Sequence, residues 1–247
     1  TNAILIGQQA GDAGAGPTNS IVIGHGAFGS ATGHAQYITA VGQDAMKGSA
    51  STTTGINGAV AIGHQSLYSI TSAAGSVAIG YEASQALTSG ANQVSIGYQA
   101  GKALTTAANS TFIGYQAGLT HTGANNVAIG DRAFANTDAD SNSLASTQNV
   151  AIGNFAMGGA INNTVTGAVA IGYYALGSAT CGTSASKGVY IGYHANIYNG
   201  GGQNIVIGGN AMQTANGTET GNVAIGVSAM DSVDNDGSDY NTVVGNY

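Results

Sequence analysis

The sequence predicts an all-β protein, a parallel β-solenoid (β-roll) of about fourteen short coils. Three observations carry that prediction. A tetrapeptide of the type Val-Ala-Ile-Gly occurs fourteen times in 247 residues, its glycines running from Gly7 to Gly245 at intervals of 16 to 23 residues. The residues one and three places before each glycine are β-branched in every copy. An alanine stands three places after the glycine in twelve of the thirteen complete copies, with Ser66 in the other. A short period running from end to end is the signature of stacked repeats.

Within one repeat the elements follow in order. Apolar residues at −3 and −1 relative to the glycine alternate with period 2, and β-branched side chains suit a pleated surface, so each motif is a short strand. The glycine ends it, because a residue without Cβ can take the dihedrals of a tight corner or let another backbone pass close by. The alanine at +3 opens a second short apolar segment, followed in eight copies by Phe28, Met46, Leu67, Phe134, Met157, Leu176, Met212 or Met230. A unit this short leaves no room for a long helix and stacks as one coil of a solenoid. At about 4.8 Å per strand, fourteen coils would make a rod roughly 65 Å long. Differences in period fall in three Ser/Thr/Asn/Gly-rich loops, Gly48 to Asn57, Ala135 to Gln148 and Gly177 to Gly188, which are candidate contact surfaces.

The pattern also assigns faces. The −1 isoleucines Ile62, Ile79, Ile96, Ile113, Ile129 and Ile152 are expected to fill the coil, together with the β-branched residues at −3. The −2 position is uncharged throughout: Ala61, Ala78, Ala128, Ala151, Ala170 and Ala224 alternate with Val22, Phe112, Tyr190 and Val206. Strands apolar on both faces are buried on both. The −2 alanines are therefore assigned to an interface between chains, most economically in a homotrimeric fibre. The thin coil agrees: a few buried side chains at about 1.5–3 kcal/mol each stand against roughly 1–2 kcal/mol of backbone entropy per ordered residue.

Composition narrows the classes. Only 6% of residues are charged and the net charge is −7. Lys47, Lys102, Arg132 and Lys187 are too few and too scattered to follow a phosphate backbone, so nucleic acid and anionic membranes are excluded as partners. No apolar run reaches the roughly 18 residues needed to span a bilayer, so no membrane insertion is expected. Residues 1–247 read as one repeat domain, a segment of a longer fibrous chain. The single cysteine, Cys181, rules out an internal disulfide and reads as a small loop residue.

The motifs resemble known repeats. Asn126-Val-Ala-Ile-Gly130, Asn149-Val-Ala-Ile-Gly153 and Asn222-Val-Ala-Ile-Gly226 are similar to the head repeats of trimeric autotransporter adhesins, left-handed parallel β-rolls wound as trimers. Ser95-Ile-Gly-Tyr-Gln-Ala-Gly101 and Phe112-Ile-Gly-Tyr-Gln-Ala-Gly118 resemble the Ile-Gly-Tyr-Gln-Ala repeats of bacteriophage tail fibres, and the longer, irregular period also departs from the adhesin heads. Both resemblances imply an extracellular, trimeric attachment protein, on a virion or a cell surface, without catalytic chemistry. The leading expectation is a structural and adhesive segment of a trimeric phage tail fibre that meets a surface glycan or protein receptor. A bacterial surface adhesin or filament subunit is the alternative. An ice-binding solenoid ranks below both, since Thr39, Thr111 and Thr242 are the only threonines at −3 and are not in adjacent coils.

Other constellations give little chemistry. Gly24-His-Gly-Ala-Phe-Gly29 matches a dinucleotide fingerprint, but no helix is expected after its strand to hold a pyrophosphate, so no cofactor is expected. His25, His34, His64, His121 and His194 lack metal-ligand spacing. Asp231, Asp234, Asp236 and Asp239 crowd the last loop, but Val243 stands where a calcium loop needs its bidentate Glu, and a solvated acidic turn is the simpler reading. No metal is assigned. No nucleophile–base set or carboxylate pair recurs, so no catalytic residue is assigned. Tyr81, Tyr98, Tyr115, Tyr173 and Tyr193 share the +1 position and should stack. They are either a packing ladder or a surface-binding stripe with apolar bodies and polar tips.

Overall fold

The computed structural model describes residues 2–12, 16–30, 34–48, 55–135, 146–159, 164–177, 186–198, 201–214, 219–231 and 239–246. Most of the three long loops (49–54, 136–145 and 178–185), Cys181, Asp234 and Asp236 lie outside them. The protein is an all-β parallel β-solenoid with fourteen strands and no helix among the described residues. It divides into two compact units, Thr1–Leu119 and Thr120–Tyr247.

The first unit carries β1 (Ile4–Ile6), β2 (Ile21–Ile23), β3 (Thr39–Val41), β4 (Val60–Ile62), β5 (Val77–Ile79), β6 (Val94–Ile96) and β7 (Thr111–Ile113). The second carries β8 (Val127–Ile129), β9 (Val150–Ile152), β10 (Val169–Ile171), β11 (Val189–Ile191), β12 (Ile205–Ile207), β13 (Val223–Ile225) and β14 (Thr242–Val244). Within each unit sequential strands pair in parallel, and the register lays like on like: Val77 on Val94, Ala78 on Ser95, Ile79 on Ile96, and Val150 on Val169, Ala151 on Ala170, Ile152 on Ile171.

The faces are the reverse of those read from the sequence. The −2 residues Ala61, Ala78, Ala128, Ala151, Ala170 and Ala224, assigned above to a subunit interface, are fully buried inside the coil, as are Val22, Phe112, Tyr190 and Val206. The isoleucines assigned to the coil core point outward. Ile62 and Ile129 are 37% and 36% exposed, and Ile79, Ile96, Ile113 and Ile152 are half-buried. Cross-section explains the inversion. The interior behind the strand already receives the +3 alanine and the large +4 residue, both buried in coil after coil, so a small −2 residue completes it at interior density.

Where −2 is aromatic, +4 is small or polar, whereas the valines Val22 and Val206 are buried beside a full-sized Phe28 and Met212. Phe112 faces Gly118, where a Cβ would lie 2.7 Å from the ring, and Gly101 of the preceding coil, where it would lie 3.0 Å away. Tyr190 is paired in the same way with Asn196 at +4, and its hydroxyl donates to the carbonyl of Gly201. Ser84 at +4 of one coil donates to Ser95 at −2 of the next, a buried hydroxyl pair at 2.7 Å.

The corner glycines have φ between +126° and +148°. They also stack backbone on backbone: a Cβ on Gly42 would sit 2.6 Å from the carbonyl oxygen of Gly63, and one on Gly153 would sit 2.5 Å from that of Gly172. After the corner, the chain makes left-handed residues at +2 and +4, such as Gln65 and Leu67 or Glu82 and Ser84. These positions knit the stack. Gln99 donates its N–H back to the Tyr81 carbonyl (2.8 Å), while Ser84 donates forward to the Ala100 carbonyl (2.9 Å). The strain of bulky residues at positive φ is met by this continuous bonding of buried backbone.

A buried polar row at −4 completes the coil. Asn149 N–H donates to Asn126 Oδ1 (2.9 Å), Ala168 N–H to Asn149 Oδ1 (2.9 Å), and Asn222 N–H to Asn204 Oδ1 (2.8 Å). In the first unit Ser76 and Gln93 take the same role, accepting from Gln93 N–H (3.3 Å) and Ser110 N–H (3.0 Å).

Candidate binding surface

Two outward features are built by this frame. The first is the double ladder of β-branched side chains at −3 and −1, half-buried to exposed along both units. Seven strands about 4.8 Å apart make each ladder roughly 30 Å long. With a width of about 10–13 Å from −3 to +1, each unit shows a mostly apolar stripe of roughly 300–400 Å², the size of the largest apolar patch on an ordinary soluble monomer, which is often a functional one.

The second is the +1 row, one residue past the glycine corner. Tyr81, Tyr98 and Tyr115 are 42%, 43% and 45% exposed, Tyr173 43% and Tyr193 54%. In the first unit His64, Tyr81, Tyr98 and Tyr115 form one stack, with centroids 5.0, 5.2 and 5.3 Å apart and interplanar angles of 10°, 8° and 9°. Tyr173 and Tyr193 stack at 5.4 Å in the second unit. Stacking covers the inner ring faces, so the row displays ring edges and hydroxyls rather than open faces. Beside it runs a +2 row that saturates itself. Gln116 Nε2 donates to Gln99 Oε1 (3.0 Å), Gln99 Nε2 to Glu82 Oε2 (2.9 Å), and Lys102 Nζ pairs with Glu82 at 2.7 Å. The Lys102 ammonium holds the Glu82 carboxyl below its ordinary range. Glu82 in turn, accepting from the Tyr81 hydroxyl, holds that phenol above its own.

The remaining sequence candidates are dispersed. His25 and His34 are exposed, at different positions of the coil between β2 and β3. His194 stacks on Tyr193 at 3.9 Å, and partial burial lowers its pKa. His121 is buried against Phe134, with ring centroids 4.3 Å apart and Nε2 2.8 Å from Asn126 Nδ2. Burial holds its pKa down to about 4, against smaller upward effects of bonds to the Gly123 and Ser146 backbone. The glycine-rich run 24–29 is a corner and turn after β2, and no helix follows it among the described residues. No group of three His, Cys, Asp or Glu suited to a metal occurs among the described residues, which include Asp231 and Asp239 but not Asp234 or Asp236. Among those residues no helix is long and apolar enough to cross a membrane.

What the sequence reading missed was the outward ladder, though a signal for it was present. The one coil with Phe112 at −2 has Gly118 at +4, against Ala61 with Leu67 and Ala128 with Phe134, which is what two positions sharing one interior would show. The fold and its surfaces define a parallel β-solenoid repeat protein. Compared with known proteins, the chain matches no family model and no curated protein sequence.

Proposed function

We propose that this chain is a structural and adhesive segment of a homotrimeric extracellular fibre of the phage tail-fibre kind, with the −3/−1 ladder as the surface between chains. The observation that carries the reading is that ladder. A rigid, in-register row of Val and Ile side chains on the outside of a coil is an apolar face in want of a partner. A symmetric assembly of identical rods meets it with the same residues at every level. The resemblance of the Ile-Gly-Tyr-Gln-Ala units to tail-fibre repeats points the same way, and the bacterial adhesin remains the alternative of identical architecture. The chain serves by stiffness and attachment, not catalysis. Its sparse charge suits contact with neutral partners.

The native mass of the assembly, measured by light scattering, tests this. Three chains per particle are expected, and Ile96→Lys in the outward ladder should dissociate them while leaving each chain folded by circular dichroism. A monomeric wild-type protein would overturn the reading. If that monomer also shaped ice crystals, the outward ladder would instead be an ice-binding face.

A further inference from the structure

We propose that the His64–Tyr81–Tyr98–Tyr115 row is a docking rail for an extended, neutral polysaccharide, lying along the stack with one sugar ring per coil. The inference rests on the adhesive reading above and gives that surface a ligand class.

Spacing is the first argument. The four rings are held 5.0, 5.2 and 5.3 Å apart, and an extended β-linked pyranose chain advances by about 5 Å per ring, close to the spacing of parallel strands. Successive rings of such a chain are turned over, so a polymer of that rise keeps one ring per coil over four coils and sets alternate edges of its rings against the row. Chemistry is the second. Because the rings cover each other's faces, the row cannot take a sugar by face stacking. It offers ring edges, an imidazole at His64 and phenol oxygens at Tyr81, Tyr98 and Tyr115, which can accept hydrogen bonds from the equatorial hydroxyls along the rim of such a chain even where, as at Tyr81, the phenol proton already goes to Glu82.

Rigidity is the third argument. The hydrogen-bonded row of Glu82, Gln99 and Gln116 lies one residue further on, and the left-handed backbone at those positions is bonded to the preceding coil. The tyrosines are therefore fixed before a ligand arrives, which lowers the entropic cost of binding. Charge decides the polymer's kind. The first unit has two cationic side chains, and both are in ion pairs, Lys47 with Asp44 (3.0 Å) and Lys102 with Glu82 (2.7 Å). The chain as a whole carries −7. A polyanionic glycan finds no spare cation along this rail, whereas an uncharged one has nothing to neutralise. Tyr173 and Tyr193 offer the same spacing over two coils only, a shorter rail.

Calorimetric titration of the intact protein with uncharged β-1,4-linked gluco-, xylo- and manno-oligosaccharides of two to six rings tests the proposal. For at least one series, affinity should climb with each ring up to four and level off thereafter. Tyr98→Phe should weaken binding roughly three- to ten-fold through the lost hydroxyl, while Tyr240→Phe, on an 80% exposed residue outside the rail, should leave it unchanged. No binding in any series, affinity independent of length, or an unchanged Tyr98→Phe would each overturn the rail. A trimer that fails these titrations would leave the fibre reading standing. A monomer that passes them would keep the rail and remove the fibre.

Discussion

The stretch from β4 to β7 and the run from β8 to β14 solve one packing problem with different amounts of regularity. In the first, three consecutive corner glycine intervals are 17 residues, and the +1 aromatic row outside and the polar row of Ser76, Gln93 and Ser110 inside repeat, while −2 runs from Ala61 through Ser95 to Phe112. In the second the interval varies from 16 to 23 residues, yet the strands pair with the same register. Tyr173 and Tyr193, twenty residues apart, stack at 5.4 Å; Tyr81 and Tyr98, seventeen apart, stack at 5.2 Å. Register is thus a property of the block from −4 to +4 around each glycine, and the period is free to vary because added residues fall outside that block. The units differ in how the block is filled: the second relies on asparagine side chains at −4 where the first uses mainly hydroxyls. Outside the block, the second also keeps a buried imidazole, His121, seven residues past a corner glycine, where the first buries Ile70, Leu87 and Leu104.

The strongest way to break the shared part is at the corner. Gly97→Val and Gly153→Val each place a Cβ against the backbone of the next coil at a φ that valine avoids. Each should cost roughly 4 kcal/mol or more, the range of exceptional single substitutions, in thermal denaturation. A large loss in one unit and a small one in the other would show that the two do not share the same corner.

A second test converts the most divergent coil of the first unit to the packing of the second. Phe112→Ala should lose about 3–5 kcal/mol as a cavity, and Gly118→Leu should fail by collision with the Phe112 ring. The double variant reproduces the Ala61/Leu67 and Ala128/Phe134 arrangement. It should be more stable than either single by about 1–3 kcal/mol, the coupling expected of neighbours that share space. Additive losses in a denaturant cycle would mean that −2 and +4 do not trade volume.

The third test separates the units by pH. His121 has a folded pKa of about 4 against 6.5 for an ordinary imidazole. The unfolded chain therefore binds a proton that the folded chain refuses, and stability falls as pH drops from about 6.5 to about 4, then levels. The loss, on the order of 3 kcal/mol at most, should be read from melting of the second unit. His121→Asn should flatten the slope in that window.

The strand, its length and its closing glycine were legible because each follows from one residue's own chemistry: β-branching, period 2 and the absence of a Cβ. The Tyr row was legible for the same reason, since like positions in stacked repeats meet whatever lies between them. The assignment of Ile62 and Ala61 to opposite faces was not, because period 2 says that neighbours differ in face without saying which face is inside. The usual rule, larger apolar residues inward, fails when another segment has already filled the interior.

By itself, then, the sequence determined a stack of fourteen short parallel strands turned by glycine, since every repeat carries its own local instructions. Only the tertiary structure decided that the alanines are the core and the isoleucines the surface. The width of a coil is a property of all its sides together, and beside a buried large +4 side chain the room behind the strand takes alanine or, at Val22 and Val206, valine.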